Sequence, residues 1–307
     1  MDKNTLKSYF QTGKIPTQAN FEALIDYIPY GGVIPIITKE SDIGTLEGIA
    51  YINSQITIQN EIFIDKTIHL IGITPNAKLE FDSGMIRGNS QLNDIIFENL
   101  AIDSNIDICS FKRITLKNCT INKIAGTNGF YNCINVYIED CRILTESAFI
   151  TTRDGVVSII NSYIESSDAT GSGTLISPNT SNLSIIGCEL VIHNFTLVAA
   201  GTSKVKQTLV VSNSRILIDH SNGMIFNDAN RAESVLIGCS IDITSTKGNI
   251  AIKAHKMIGN NIINRSADAA VLTSALAIAN TCINNGGGFN STNFMFLNNS
   301  GTKYNQI

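Results

Sequence analysis

Two aspartates with arginine neighbours are the first residues whose types suggest chemistry. Asp154 lies beside Arg153, and Asp228 lies three residues before Arg231. Two carboxyl groups about 6.5–9.5 Å apart can act as acid and base in inverting glycoside hydrolysis. The repeat described below separates these aspartates by three coils, about 14 Å at about 4.8 Å per coil. That distance is too long for a direct pair, and exposed ion pairs contribute little energy, so no catalytic residue is assigned and both aspartates stay candidates.

Histidines and cysteines give no metal or cofactor site. His193 and His220 follow their turn residues by six and seven positions in adjacent repeats. A stacked histidine pair can bind a metal, but no third ligand is evident, and both are interpreted as solvated loop residues. The seven cysteines form an odd set without a Cys-x-x-Cys pair, which indicates neither a disulfide framework nor a zinc site. We expect no metal and no cofactor.

A nine-residue phrase recurs along the chain, and it must position these side chains. It reads apolar, x, apolar, x, Asn/Gly/Asp, small, x, Ile/Leu, x. The ten copies begin at Ile95, Ile114, Val136, Val157, Leu183, Leu209, Ser234, Lys256, Leu276 and Phe294. Their fifth positions are 18 to 26 residues apart, with a mean of about 22. That period predicts one coil of a solenoid per phrase.

The phrase predicts a strand, a sharp corner and a second strand. Positions one and three point to one face of a strand. Position five needs a residue that tolerates the left-handed backbone conformation of a sharp corner. Asparagines stacked at about 4.8 Å can form a hydrogen-bonded ladder. The predicted ladder consists of Asn99, Asn118, Asn161, Asn213, Asn260, Asn280 and Asn298.

Position six predicts a second stack, of small residues inside the solenoid. Its members are Cys119, Cys141, Cys188, Cys239, Ser162, Ser214 and Thr281. Free cysteine commonly behaves as a small buried hydrophobe, so this stack is expected to be structural and not a redox or catalytic site.

The phrase and its spacing resemble the pectin-lyase-like superfamily, in which strand, asparagine turn and strand form a familiar unit. The resemblance covers residues 45–300, including the string YINSQITIQNEIFIDKTIHLIGITPNAKLEF. It implies an all-β, right-handed single-stranded parallel β-helix of about 10–12 coils. It does not imply an activity, since that superfamily includes lyases, hydrolases, adhesins and phage spikes.

Residues 1–30 do not fit the repeat and form a separate helical segment in this interpretation. Apolar residues recur there at helical spacing, with Gly13 as a stop and Thr17 as a cap. These residues, the predicted attachment residues, are Leu6, Tyr9, Phe10, Phe21, Leu24, Ile25 and Ile28. Residues 31–50 are then a linker and solenoid cap, and residues 51–307 are the β-helix. The segment itself either caps the solenoid or attaches it to another molecule.

The string LKSYFQTGKIPTQANFEALID resembles the opening of fibre-type proteins from phages of Bacteroides-like bacteria, including crAss-like phages. Lys7, Phe10, Gly13, Pro16, Thr17, Phe21 and Leu24 to Asp26 carry this resemblance. It implies a virion appendage that attaches through its N-terminal segment to other virion proteins. Such appendages are usually threefold, so we expect a homotrimer whose solenoid faces a host-surface glycan.

The leading hypothesis is therefore a phage structural protein, a fibre or spike subunit of the head, collar or tail. A net charge of −4 gives no case for nucleic-acid or anionic-membrane binding. The absence of an apolar leader predicts synthesis in the host cytoplasm, and the resemblance to fibre-type proteins implies a final place in the virion. One alternative is a polysaccharide-degrading lyase or glycosidase that uses Asp154 or Asp228, although the motifs of galacturonases (NTD, DD, GHG, RIK) and of pectate lyases (RxxP) are missing. Another is a bacterial β-helix adhesin, which would be expected to carry a secretion signal.

Overall fold

The computed structural model describes most of the repeat region and little of the front segment. The described residues are 17, 34–89, 92–123, 129–152, 154–166, 173–178, 182–193, 195–199, 207–219, 225–227, 232–244, 251–266, 270–285, 289–292, 295–297, 300–301 and 304–306. Within them the regular secondary structure is almost entirely β-strand, with one short helix at Glu40–Ile43. No helix in these ranges is long and apolar enough to cross a bilayer.

The strands form long parallel sheets because the chain returns to each sheet once per coil. Sheet A contains Ile36–Ile37, Gly48–Ile52, Ile68–Gly72, Asp94–Glu98, Arg113–Lys117, Asn135–Glu139, Val156–Ile160, Asn182–Ile186, Gln207–Ser212, Ala232–Ile237, Lys256–Ile258, Leu276–Ile278 and Met295–Leu297. Sheet B contains Gln55–Ile58, Lys78–Phe81, Ala101–Ser104, Thr120–Lys123, Arg142–Thr145, Tyr163–Ser166, Glu189–His193, Arg215–Asp219, Ser240–Ile243, Asn261–Asn264, Thr281–Asn284 and Ser300–Gly301.

The third side of the coil is divided between two shorter sheets. Sheet C contains Glu61–Phe63, Met85–Arg87, Asp107–Cys109, Gly129–Cys133, Ile150–Thr152, Gly173–Ser177, Phe195–Ala199 and Phe226–Asn227. Sheet D contains Ala251–Lys253, Ala270–Thr273, Phe289–Thr292 and Tyr304–Gln306. The prediction of an all-β parallel β-helix is thereby confirmed; its right-handed sense remains a prediction.

The core lies between the sheets and is filled by the inward residues of each strand. In sheet A the strand Val156–Ile160 alternates in burial, with Val157 and Ile159 fully buried. The same alternation repeats in neighbouring coils because partner strands are in register, as with Val157 opposite Leu183. Stacked coils therefore bury continuous columns of aliphatic side chains, and each coil depends on its neighbours for its core.

The corner between sheets A and B uses the left-handed backbone conformation at position five. Asn99, Asn118, Asp140, Asn161 and Asn213 have φ between 49° and 55°. Glycines occupy the same corner in two coils, at Gly187 and Gly238. Asparagine, aspartate and glycine tolerate this conformation at lower cost than other residues, which explains the composition of position five.

Backbone hydrogen bonding changes direction at this corner. At the corner, Asp140 donates its N–H to the Ile160 carbonyl in the next coil, whereas two residues later Arg142 donates to the Cys119 carbonyl in the previous coil. The intervening residue at position six has a buried N–H that needs another acceptor. Side chains of the next coil provide it: Cys141 donates to Ser162 Oγ at 3.1 Å, and Cys188 donates to Ser214 Oγ at 3.1 Å. The internal stack is therefore a hydrogen-bonded ladder.

The structure corrects the position of two asparagines that the repeat assigns to the corner. Strand register aligns Val235 with Lys256 and Lys256 with Leu276, which places Gly259 and Ala279 at position five, with φ of 62° and 53°. Asn260 and Asn280 consequently lie one residue later, buried at position six. There Asn260 Nδ2 donates to Asn280 Oδ1 at 2.8 Å, and Cys239 N–H donates to Asn260 Oδ1 at 2.9 Å.

This shift also removes Thr281 from the internal stack. Thr281 begins a strand of sheet B opposite Asn261, and its side chain is on the outer face. The repeat places both amides at the corner because asparagine suits either environment. Its backbone tolerates the left-handed conformation, and its amide can also donate and accept inside a buried ladder.

The N-terminal end of the solenoid is covered by the short helix. Ile43 is completely buried in the core. The Glu40 carboxylate accepts hydrogen bonds from the backbone N–H groups of Gln59, at 3.1 Å, and Asn60, at 2.6 Å. These donors lie at the turn after the first strand of sheet B, so the helix satisfies backbone groups at the end of the coil stack.

Candidate functional site

A groove on the outer face of sheet A combines an aromatic ring with groups of both charges. Strand register places Thr115, Tyr137 and Ser158 in one outward row. The neighbouring row contains Lys117 and Glu139, followed by Ile160. These side chains line a cavity of about 250 Å³, which we call the Tyr137 groove.

The geometry of the Tyr137 groove leaves the aromatic ring accessible. Tyr137 is 37% exposed although it lies in the middle of a strand. Lys117 and Glu139 are exposed beside it. Arg113, at the edge of the groove, forms an ion pair with Asp94 at 2.8 Å. The groove therefore offers a flat amphipathic platform, with a donor and an acceptor from adjacent coils side by side in the row next to the ring.

Sequence reasoning did not identify Tyr137 because it concentrated on the inward positions and the corner. Tyr137 is the second residue of the phrase VYIEDCRIL, a position treated only as polar or variable. Position two points outward in every sheet A strand of the described repeats where register is given. A comparison of positions two and four between copies is the signal that would have found the groove.

A second polar cluster lies on the outer face of sheet B. The Arg142 guanidinium stands 5.3 Å from the centroid of the Tyr163 ring. Tyr163 Oη donates to Glu165 Oε2 at 2.8 Å, and burial together with this carboxylate raises the pKa of Tyr163 to about 12. In the next coils Glu189 pairs with Arg215 at 2.8 Å. The polar groups of this cluster thus bond mainly to one another, and the Arg142 guanidinium covers the Tyr163 ring.

His193 lies at the centre of this second cluster, which corrects its interpretation as a solvated loop residue. It ends the strand Glu189–His193 and is only 16% exposed. Its Nε2 is 3.9 Å from Glu165 Oε1, and its Nδ1 is 3.7 Å from Asp219 Oδ2. The ring therefore sits between carboxylates from the coils on either side of it.

Asp154 has a backbone role in the structure. Its φ of 56° and the following Gly155 form the turn that leads into Val156–Ile160. A Cβ on Gly155 would come within 1.9 Å of the Ile134 carbonyl oxygen, so the turn packs directly on the coil below. This geometry accounts for the Asp-Gly pair without a catalytic function.

Several residues named from the sequence lie outside the described residues. They are Asp228, Arg153, Arg231, His220, Asn298 and the attachment residues Leu6, Tyr9, Phe10, Phe21, Leu24, Ile25 and Ile28. Their assigned roles stay predictions.

The predicted asparagine ladder is present in separate pieces. Asn118 Nδ2 donates to Asn99 Oδ1 at 2.7 Å across one coil. Asn161 and Asn213 instead face glycine corners: their Oδ1 atoms lie 2.9 Å and 2.7 Å from where Cβ atoms of Gly187 and Gly238 would be. Glycine at these two corners thus makes room for the asparagine side chain of the coil before it.

The seven cysteines are buried and free. Burial raises the pKa of the Cys188 and Cys239 thiols, and that of Cys133 to about 12. Such thiols stay protonated at neutral pH and are poor nucleophiles. Lys123 is also buried, beside Ser147, and burial lowers its pKa to about 8.

The described residues contain no group of three or more histidine, cysteine or acidic side chains placed to hold a metal ion. Comparison with protein-family models, curated proteins and solved structures finds no match to this chain.

Proposed function

We propose that this chain is a structural subunit of a phage virion, a fibre or spike, whose β-helix contacts a glycan of the host surface. The observation that supports glycan contact is the Tyr137 groove. A sugar ring has an apolar face of C–H groups and a rim of hydroxyls. An exposed tyrosine can stack on the apolar face. A neighbouring ammonium can donate hydrogen bonds to the hydroxyls, and a carboxylate can accept hydrogen bonds from them.

The virion assignment rests on the combination of fold and front segment. A parallel β-helix is a stiff rod that grows by adding coils, which suits an appendage that must hold a binding surface away from its attachment point. The front segment 1–30 resembles the openings of phage fibre proteins, and we propose it as the attachment element. We also propose placement in the pectin-lyase-like superfamily, supported by the repeated left-handed asparagine corners.

The test of glycan contact compares two tyrosines on different faces of the same rod. Binding of the full chain is measured against a panel of capsular and outer-membrane polysaccharides. For a polysaccharide that binds, Tyr137→Ala should weaken binding by about tenfold, equivalent to about 1.4 kcal/mol. The matched control is Tyr163→Ala, because Arg142 already covers that ring. Equal binding by wild type and Tyr137→Ala would remove the groove from the proposal, and no binding across the panel would remove glycan contact.

A polysaccharide-degrading enzyme remains a second candidate because of the sheet B cluster. Glu165 and Asp219 lie two coils apart, and both carboxylates approach the same His193 ring, which brings them close to the separation of about 6.5–9.5 Å in inverting glycosidases. His193, however, occupies the space between them, where a water molecule and the scissile bond would have to lie. New reducing or unsaturated ends that appear with wild type and disappear with Glu165→Gln would favour the enzyme over a binding protein.

A further inference from the structure

The outer face of sheet A changes chemical character halfway along the rod. Position four of the phrase points outward and forms one row along the sheet. In three successive coils this row holds Glu98, Lys117 and Glu139. From the next coil onward the same row holds aliphatic residues, with one serine. The members of this row are Ile160, Ile186, Ser212, Ile237, Ile258 and Ile278.

Position two changes in the same way a little later. Ser158 and Ser184 are followed by Val210, Val235, Lys256 and Leu276. We define the aliphatic face as Ile160, Ile186, Val210, Val235, Ile237, Ile258, Leu276 and Ile278. All of these side chains are partly exposed, and Ile186 is 38% exposed.

The aliphatic face is not a property of these coils in general. On the outer face of sheet B the same coils carry a single aliphatic row, Val191, Leu217, Ile263 and Ile283, which Asp242 interrupts. Ion pairs accompany that row, Glu189 with Arg215 and Asp242 with Arg265. The solenoid core is already complete behind sheet A, since the alternating residues Ile185, Val211 and Leu236 are buried. Two adjacent aliphatic rows on the solvent side of a sheet whose core is already complete therefore need another explanation.

We propose that the aliphatic face is the surface through which parallel copies of this chain pack side by side. In a cyclic assembly of parallel rods, an outward residue that lies near the symmetry axis meets its own copy at the same height. A row such as Glu98, Lys117 and Glu139 would then bring like charges together. The row from Ile160 to Ile278 brings isoleucine against isoleucine over most of its length and has no charged member. In the row beside it, Lys256 is the one charged residue between Val210 and Leu276.

The dimensions of the face also suit copies that are joined elsewhere. Five coil steps at about 4.8 Å give a length of about 24 Å, and two rows of side chains give a width of roughly 10 Å. That patch is small for a protein interface that acts alone. It is sufficient as one of two contacts, because chains already tethered at one end meet at a high effective concentration. This inference takes its second contact from the proposed attachment segment, residues 1–30, and does not depend on glycan binding at the Tyr137 groove.

Cross-linking provides a direct test because all seven native cysteines are buried. In the full-length chain, Ile237→Cys should give covalent oligomers with a short bis-maleimide under native conditions. The matched control is Ile263→Cys, a partly exposed isoleucine on the outer face of sheet B, which should give only background. Equal yields from the two variants, or no product from Ile237→Cys, overturn the proposal.

Solution mass gives a second, independent readout. Wild type should be larger than the single-chain mass of 33.2 kDa, and Ile237→Lys should shift the population toward that mass with an unchanged β-sheet circular dichroism spectrum. Ile263→Lys should keep the wild-type mass. A wild-type chain that is monomeric at all concentrations, or an Ile237→Lys variant that assembles like wild type, contradicts the proposal, whether or not the protein binds glycan.

Discussion

At the corner between sheets A and B, two neighbouring positions have different structural requirements. Position five must adopt a left-handed backbone, and position six must provide a buried acceptor to the coil before it. Asn118 and Cys119 show the usual division, with the asparagine exposed at the corner and the thiol inside. Gly259 and Asn260 divide the same tasks differently, because the glycine takes the corner and the amide belongs to the buried ladder.

The free-energy cost of the left-handed corner conformation can be measured by adding a Cβ at Gly259 and by removing one at Ala279. A Cβ on Gly259 would contact no atom within 4 Å, so Gly259→Ala changes little except the backbone preference. We expect it to lower the free energy of unfolding by about 1 kcal/mol, since this region costs L-residues roughly 1–2 kcal/mol. Ala279→Gly should give a change of the opposite sign, reduced by the greater chain entropy of glycine.

Urea unfolding followed by circular dichroism measures both variants. Ala254 is a suitable control position, because it is buried and is not among the described residues with positive φ. There Ala254→Gly should lower the free energy of unfolding. A stabilising effect of glycine at both alanines, or a destabilising effect at both, would contradict the assignment of strain to the corner.

Residue-level prediction from sequence succeeded where one side-chain property decides the position. The cysteines of position six were expected inside, and Cys119, Cys141, Cys188 and Cys239 are buried. Prediction was less successful where one residue type serves two environments, as for Asn260 and Asn280. It also gave Tyr137 no role and placed His193 in a solvated loop, because the surroundings of both side chains are set by the neighbouring coils.

At the scale of the element, the short helix Glu40–Ile43 protects the first coil. Its four residues are too few to be stable alone, and it is held by the buried Ile43 and the Glu40 carboxylate. The carboxylate accepts hydrogen bonds that neighbouring strands accept elsewhere in the solenoid. The helix therefore takes the place of a further coil at this end of the stack.

Removal of this carboxylate should open the end of the rod locally. Glu40→Ala leaves the N–H groups of Gln59 and Asn60 without their acceptor, and we expect faster hydrogen exchange at these two amides with a loss of about 1–2 kcal/mol. Glu47→Ala is the control, because Glu47 forms an exposed ion pair with Lys66 and such pairs contribute about 0–1 kcal/mol. Equal hydrogen-exchange rates at Gln59 and Asn60 in the two variants would show that the Glu40 carboxylate does not stabilise the N-terminal end of the solenoid.

Strand elements were predictable because inward and outward residues alternate with period two and the corner resets that alternation. Their exact register in the last coils was not, because Gly259-Asn260 fits the corner at either of two offsets and Ala279, which occupies the next corner, is not a residue type expected there. The pairing of Val235 with Lys256 shows that Gly259, and not Asn260, occupies the corner. That information lies between coils and not within one phrase.

At the scale of the whole molecule, the rod presents a different surface in each half of sheet A. The N-terminal half carries the Tyr137 groove, and the C-terminal half carries the aliphatic face. Because coils stack in a fixed order, the sequence order of the phrases determines which surface lies nearer to the first coil. In the proposed appendage, the groove is therefore closer to the attachment end of the solenoid than the packing surface.

This arrangement predicts two separable contributions to assembly. Deletion of residues 1–30 should leave the β-sheet circular dichroism spectrum unchanged, because the described solenoid has its own core. It should also raise the concentration needed for self-association by at least about tenfold, since the tethering contribution is lost. The truncated chain should still assemble at high concentration through the aliphatic face, but should no longer join the virion.

Light scattering over a concentration series distinguishes the two contributions. Adding Ile237→Lys to the truncated chain should leave only the mass of a single truncated chain, whereas adding Ile263→Lys should not change its association. A truncated chain that stays monomeric at the highest soluble concentration would assign all self-association to residues 1–30. A truncated chain that associates as tightly as wild type would instead leave those residues with attachment to the virion as their only role, because the rods would then be held together by the solenoid alone.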